Sequence, residues 1–146
     1  MADANEFYLG TDLSRLEFEQ AEFDTTYLNS VLIGYQFDKW SLEGGYDISK
    51  RSNDFFCGDQ EVNMYHLYGV YRSEGTLFYK IKFGLTNERY KLYDSDQNLK
   101  FDDAHTGIAR GLGVGYKFEK INIEIDYSWL GGSLKTIGMG IRYNFK

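Results

Sequence analysis

The sequence of 146 residues has no proline, one cysteine, two histidines and no long apolar run. A single cysteine cannot form an internal disulfide, and without a Cys/His cluster a zinc site is excluded as well. No window approaches the roughly 18 consecutive apolar residues that a membrane-spanning helix needs. The lack of proline favours continuously paired strands, because proline cannot donate to a β ladder.

Aromatic residues and glycine are abundant instead, with 13 Tyr, 11 Phe and 16 Gly. The formal net charge is −6 and no basic stripe is present. Nucleic acid is therefore excluded as a partner, since its binding depends on Lys and Arg contacts to phosphate. Cys57 lies in a polar stretch, 52–59, and is interpreted as an incidental exposed thiol.

The segment from Leu134 to Lys146 alternates between two faces. Ile137, Met139 and Ile141 fall on one side, whereas the other side is small or charged. This period of two is typical of a β-strand, and it recurs about seven more times. Hydropathy scans do not detect a membrane barrel, because only every second residue of each strand contacts lipid. The pattern predicts an all-β fold, a single-domain (1–146), eight-stranded antiparallel up-and-down transmembrane β-barrel with its apolar face outward.

The expected strands end in connections of unequal length. The predicted strands run over about 5–14, 26–37, 40–48, 63–72, 77–86, 107–118, 121–129 and 134–146. Long loops are expected at about 15–25, 49–62 and 90–105, and short turns at 38–39, 73–76 and 119–120, with 130–133 a short exception. Short turns at one rim and long loops at the other are typical of outer-membrane barrels.

Aromatic side chains on the outward phase sort by height along the strands. The lower belt beside the short turns comprises Phe37, Trp40, Tyr71, Phe118, Tyr143 and Phe145, and the upper belt comprises Tyr27, Tyr46, Tyr65, Tyr127 and Trp129. Mainly aliphatic residues lie between the two belts. Aromatic belts at both membrane interfaces are a property of membrane barrels.

Charged residues occupy the opposite phase and are predicted to form a lumenal charge network. Its members are Glu43, Asp47, Lys80, Lys82, Glu124, Asp126 and Arg142. An eight-stranded lumen is filled by side chains, so these charges are expected to pair. The network is interpreted as a structural plug, and a gate is the alternative. A soluble ligand-carrying barrel would place the same charges beside an apolar ligand, which is costly.

Three glycine- and aromatic-rich stretches resemble the small eight-stranded outer-membrane proteins of the OmpA and OmpX/Ail type. They are Tyr68–Arg72, Gly111–Phe118 and Gly138–Phe145. The resemblance implies that the terminal aromatic helps the assembly machinery to recognise the chain. Lys146 follows Phe145 here, which departs from that pattern.

Catalysis is not expected, and the sequence predicts no catalytic, cofactor-binding or metal-binding residues. Some barrels of this size modify lipid A with a Ser and a His, which makes His66 and His105 the candidate bases. His66 is placed in the lumen and His105 in the third long loop. The stretch that would carry a His-x-Ser arrangement reads Asp126-Tyr127-Ser128 instead.

Arg89, Arg110 and Lys135 lie on the outward phase, roughly 20 to 30 Å above the short turns. At that height cations can contact lipopolysaccharide phosphates, although snorkelling at an interface explains them equally well. The first loop, 15–25, is acidic and aromatic, and it is a candidate surface for an extracellular protein partner.

These observations predict a monomeric protein of the bacterial outer membrane with a plugged polar lumen. Its expected role is structural or in surface interaction, through adhesion, a partner protein or lipopolysaccharide. The alternatives are a narrow channel for small solutes and then a lipid A-modifying enzyme. Ala2, Asp3 and Ala4 lead directly into the first strand without a signal peptide, so we expect a mature chain with an added start methionine.

Overall fold

In the computed structural model, eight strands form one closed antiparallel barrel in sequence order, with the last strand paired to the first. The strands are β1 (Glu6–Phe18), β2 (Thr26–Phe37), β3 (Trp40–Asn53), β4 (Gly58–Arg72), β5 (Leu77–Tyr93), β6 (Leu99–Phe118), β7 (Ile121–Leu130) and β8 (Leu134–Phe145). The structure describes residues 5–18, 26–53, 58–93, 99–130 and 134–145. In these ranges no helix is long and apolar enough to cross a membrane. The predicted eight-stranded up-and-down barrel is confirmed.

The register of the strands fixes their tilt. Partners across the ladder run from Glu6 through Gln36, Ser41, Val70, Lys82, Gly111, Ser128 and Thr136 back to Leu16. The circuit therefore returns to β1 ten residues above its starting point. A stagger of this size in eight strands requires a tilt of about 40°, so each residue rises roughly 2.5 Å along the barrel axis.

Alternate residues face inward and outward along each strand, and the outward face is the apolar one. Val31 is 70% exposed and Phe83 is 62% exposed, whereas Glu43 is 2% and Arg142 is 1% exposed. The alternative of a soluble ligand carrier is wrong, because that barrel needs an apolar interior and a polar exterior. The outward apolar band matches what a bilayer requires of a strand barrel.

Several strands are longer at the loop end than predicted, and three loop predictions are wrong in extent. β1 continues to Phe18, β3 reaches Asn53, and β5 reaches Tyr93. β6 begins at Leu99, so His105 lies on a strand and not in a loop. The predicted loops 15–25, 49–62 and 90–105 therefore consist partly of strand. Above the membrane neither face needs to be apolar, so backbone pairing continues where the period-two signal in the sequence has ended.

Four strands continue beyond the other four at the loop end. β2 pairs with β3 only as far as Ile48, and β7 pairs with β6 only as far as Arg110. We define the upper sheet as residues 49–53 of β3 and 99–109 of β6, which lie beyond these limits, together with residues 58–62 of β4 and 88–93 of β5 between them. With the tilt and stagger given above, it reaches roughly 10 to 15 Å above the ends of β1, β2, β7 and β8.

Candidate functional site

Arg72, the last residue of β4, organises the lower half of the lumen. Its Nε donates to Glu124 Oε1 at 2.7 Å and its Nη2 donates to Glu43 Oε1 at 2.6 Å. Its Nη1 donates to the hydroxyl of Ser41 at 2.7 Å, and its guanidinium lies 5.3 Å from the Tyr8 ring centre. Arg72 on β4 thus links a carboxylate of β3 to a carboxylate of β7 across the lumen. Its contact with Tyr8 extends these links to β1.

Arg72 is not among the residues predicted for the lumenal charge network. Its signal was present, because Arg72 continues the inward series of His66, Tyr68 and Val70 on β4. Because Arg72 lies next to a short turn, its side chain would ordinarily be expected in solvent at the rim of the barrel. Here the side chain turns into the barrel and is 6% exposed.

Two lysines of β5 meet the carboxylates of β7. Lys80 Nζ lies 2.6 Å from Glu124 Oε2 and 2.8 Å from Asp126 Oδ2. Lys82 Nζ lies 3.4 Å from Asp126 Oδ1 and 5.1 Å from the centre of the Tyr68 ring. Asp126 therefore bridges the two lysines, and Lys82 is held more loosely than Lys80.

Arg142 of β8 completes the set and brings in a second residue that the sequence analysis left out. Its guanidinium forms two hydrogen bonds with the carboxylate of Asp12 on β1. It also lies 3.6 Å from Glu43 and 3.7 Å from Glu124. Asp12 occupies the inward phase of β1, and a single acid on one strand gives no indication of its partner in the sequence.

We call this group the lumenal ion cluster. It consists of Asp12, Glu43, Arg72, Lys80, Lys82, Glu124, Asp126 and Arg142. The structure brings six of the seven sequence-predicted network residues together in it. The seventh, Asp47, lies higher in the lumen and contacts His66 instead, with 3.1 Å between Oδ2 and Nδ1.

A small cavity, the upper chamber, lies above the lumenal ion cluster. Its volume is about 30 Å³, enough for roughly two water molecules. Its lining includes Asp47, His66 and Ser128. These three residues do not form a nucleophile–base pair, because the hydroxyl of Ser128 makes no hydrogen bond with any described residue.

Glycines make room for the large inward side chains. Gly34 on β2 lies directly across the ladder from Tyr8, and a Cβ atom at position 34 would overlap the Tyr8 ring. The Tyr8 hydroxyl donates to Glu43 Oε1 at 2.7 Å. The absence of a side chain at position 34 is thus what lets Tyr8 reach the lumenal ion cluster.

Residues assigned to each aromatic belt contact one another through their rings on the outer surface. In the lower belt, the rings of Trp40 and Tyr71 are 5.3 Å apart. In the upper belt, the separations are 4.8 Å for Tyr46 with Tyr65 and 4.8 Å for Tyr127 with Trp129. The remaining belt residues Phe37, Phe118, Tyr143, Phe145 and Tyr27 are exposed on the outward phase.

Cationic side chains gather near the upper belt on one side of the barrel. Arg110, Trp129 and Lys135 form one row across β6, β7 and β8, and the Arg110 guanidinium lies 5.8 Å from the Trp129 ring. Arg15 on β1 pairs with Ile137, two residues from Lys135, and was not predicted. Arg89 lies apart from this row, in the upper sheet opposite Ala104.

Some sequence predictions fall outside the described residues. Cys57 lies there, as does the central part of the first loop, residues 19–25. Of His105 only the backbone on β6 is described. Among the described side chains, no group of three or more His, Cys, Asp or Glu is arranged to hold a metal ion.

No family model and no curated protein sequence matches the chain. Solved structures do match its fold. The Neisserial surface protein A (NspA) superposes with a TM-score of 0.79 at 12% identity, over 98% of this chain and 100% of that one. The N-terminal β-barrel domain of Pseudomonas aeruginosa OprF gives a TM-score of 0.69 at 20% identity, over 94% of this chain and 97% of that one.

The Yersinia pestis attachment invasion locus protein Ail gives a TM-score of 0.65 at 16% identity, over 97% of each chain. That protein was solved in complex with the heparin analogue sucrose octasulfate. Identities this low establish a shared fold and leave activity open. The chain has the fold of the small eight-stranded outer-membrane β-barrels.

Proposed function

We propose that this protein is a monomeric outer-membrane barrel that binds an extracellular protein partner through its upper sheet, without catalysis and with a closed lumen. The observation that carries the proposal is the pair of open edges on that sheet. Residues 49–53 of β3 have no partner on the β2 side, and residues 99–109 of β6 have none on the β7 side, among the described residues.

An open strand edge presents unpaired N–H and C=O groups that can hydrogen-bond to another chain. Extended peptides bind many proteins by adding a strand to such an edge. The β6 edge is eleven residues long, which is longer than the usual strand of five or six. Partner binding by strand addition is therefore the interaction that this backbone geometry favours.

The Ail complex offers a different recognition chemistry, that of a sulfated polyanion. The net charge of −6 on this chain opposes the binding of a polyanion. Backbone pairing does not depend on charge of one sign, so an extended protein segment fits this chain better than a heparin-like ligand.

The test compares two shortened variants. In the first, residues 89–104 are replaced by Asn-Gly, which joins the paired residues Glu88 and His105 in a two-residue hairpin and removes residues 99–104 of the β6 edge. In the control, residues 17–25 are replaced by Asn-Gly, which joins the paired residues Leu16 and Thr26. Each refolded protein is panned against a random linear-peptide library, and the enriched peptides are tested on all three proteins.

We expect the enriched peptides to bind the wild type and the control and to lose binding to the first variant. Hydrogen exchange of the backbone amides of residues 99–109 should slow when a peptide binds. Binding to the first variant at the wild-type level would contradict strand addition at the β6 edge, and loss of binding in the control alone would assign recognition to the first loop.

The lumenal ion cluster supports the proposed closure of the lumen, because its side chains come from six of the eight strands and contact one another across the barrel. An eight-stranded barrel is only wide enough for side chains to fill. We therefore predict that the refolded protein produces no wide-pore conductance in planar lipid bilayers. Conductance that disappears when Arg142 or Glu43 is neutralised would favour the alternative, a narrow channel for small solutes.

Contact with lipopolysaccharide phosphates is the second interaction that we propose, on the outer face formed by β6, β7, β8 and β1. Arg110 and Lys135 are two strands apart in one row, about 10 Å, and Arg15 is a diagonal neighbour of Lys135. Cations at this height meet the headgroups of the outer leaflet. Arg15, Arg110 and Lys135 therefore form one surface for binding anionic headgroups. Arg89 lies apart from this surface.

Changing Arg15, Arg110 and Lys135 together to Gln is expected to reduce the lipopolysaccharide retained per protein after detergent extraction by about tenfold. Three exposed contacts of about 0.5 kcal/mol each account for that factor. Mass spectrometry of lipid A in the purified protein provides the measurement. Lys117→Gln, an exposed cation at the lower rim, is the control and should retain the wild-type amount. Unchanged retention of lipopolysaccharide in the triple variant would show that these residues act only as interfacial anchors.

A further inference from the structure

The upper chamber has apolar and ionic boundaries. Leu28, Met64 and Leu130 lie at its loop end and are each at most 4% exposed. The lumenal ion cluster lies at its other end. Between the two, the lining carries the hydroxyls of Ser14, Ser30, Ser128 and Thr136 and the carboxylate of Asp47. The chamber is thus a small polar space with an apolar boundary at one end and an ionic boundary at the other.

The charges around this space do not balance. The lumenal ion cluster and Asp47 together supply five carboxylates, from Asp12, Glu43, Asp47, Glu124 and Asp126, and four cations, from Arg72, Lys80, Lys82 and Arg142. Among these described residues one negative charge is therefore left over when His66 is neutral; Glu88, a further buried carboxylate, belongs to the upper sheet and is outside this count. An uncompensated charge in the interior of a barrel is costly, so a further positive charge is expected nearby.

Asp47 is the carboxylate of this set that has no Lys or Arg partner among the described residues. Its side chain is 4% exposed, and its Oδ2 contacts His66. Its Oδ1 is buried and accepts no hydrogen bond from any described residue. Ser128 is 1% exposed on the same chamber, and its hydroxyl likewise lacks a partner among the described residues. Two buried oxygens with unused capacity thus line one cavity.

We propose that the upper chamber binds a single monovalent cation of the sodium class, held by Asp47 Oδ1 and the Ser128 hydroxyl, with water and neighbouring hydroxyls completing its shell. Oxygen ligands suit hard cations. The excess of one charge matches one monovalent ion, and the volume admits an ion with about one water. Lys82 also lines the chamber, and its charge opposes a divalent ion.

The test measures unfolding of the refolded full chain in detergent at pH 8, in sodium chloride or in choline chloride of equal ionic strength. Choline is too large for the chamber. When sodium is present at ten times its dissociation constant, the unfolding equilibrium should shift about tenfold toward the folded state. Crystals grown with thallium(I) in place of sodium should show an anomalous peak between Asp47 Oδ1 and Ser128 Oγ.

Variants separate this site from general salt effects. Asp47→Asn and Ser128→Ala should reduce or abolish the difference between sodium and choline. Glu74→Gln, which removes an exposed ion pair with Lys39 at the lower rim, should keep it. If a variant does not fold, the wild-type comparison and the thallium peak still decide.

Equal unfolding in the two salts together with an empty chamber in the thallium crystals would overturn the proposal. Nitrogen-15 NMR that shows His66 as an imidazolium at pH 8, without any sodium effect, would also overturn it, because a proton would then balance the charge. A sodium effect of wild-type size in Asp47→Asn would place the ion elsewhere.

Discussion

Replacing Arg72 by methionine is expected to lower the free energy of unfolding by about 3–5 kcal/mol, because the change leaves two buried carboxylates without their main partner. Glu43 and Glu124 are each at most 2% exposed and lie 2.6 and 2.7 Å from the guanidinium. Methionine retains much of the volume, so the loss reports charge and hydrogen bonding more than packing. Urea unfolding in lipid vesicles, followed by tryptophan fluorescence and by gel mobility with and without boiling, measures the difference.

Two further variants show whether the loss arises from uncompensated charge. Adding Glu43→Gln and Glu124→Gln to Arg72→Met should restore part of the stability, since neutral amides are less costly to bury than unpaired carboxylates. Lys39→Met breaks an exposed ion pair with Glu74 at the neighbouring turn and should leave stability nearly unchanged. A loss in Lys39→Met as large as that in Arg72→Met would show that any cation near the short turns has the same effect.

The barrel was predictable because the membrane constrains each strand. Lipid requires an apolar residue at every outward position between the belts, so residues such as Ile137, Met139 and Ile141 make the period of two visible in the sequence. The same constraint separates the charged residues onto the inner phase. Six of the predicted network residues accordingly occur in one cluster.

The sequence analysis missed what depends on neighbours around the barrel and on the chain above the membrane. Whether Asp12 meets Arg142 is decided by the closure of β1 on β8, residues that are far apart in the sequence. The sequence of the upper sheet shows no regular alternation of apolar and polar residues, because its faces need not contact lipid. Its extent is instead set by backbone pairing, which any residue except proline supports, and the chain has no proline.

Gly34→Val is the second substitution expected to have a large effect, through overpacking of the lumen. The new side chain would overlap the Tyr8 ring, whose hydroxyl bonds Glu43 and accepts from Arg72 at 3.3 Å. Overpacking alone costs about 1–3 kcal/mol, and displacement of Tyr8 would add the loss of its hydrogen bonds, about 1 kcal/mol each. Urea unfolding in vesicles is again the measurement.

The barrel provides a matched control on its other face. Gly69 also lies mid-strand, but it points outward, and a Cβ there would meet only the carbonyl oxygen of Phe83 at 3.7 Å. Gly69→Val should therefore be neutral or stabilising, because valine favours the strand and its side chain meets lipid. Tyr8→Ala combined with Gly34→Val should recover the overpacking part of the loss while the hydrogen-bond part remains. If both glycine variants are equally destabilised, the effect belongs to the strand backbone and not to the fit of Tyr8 over Gly34.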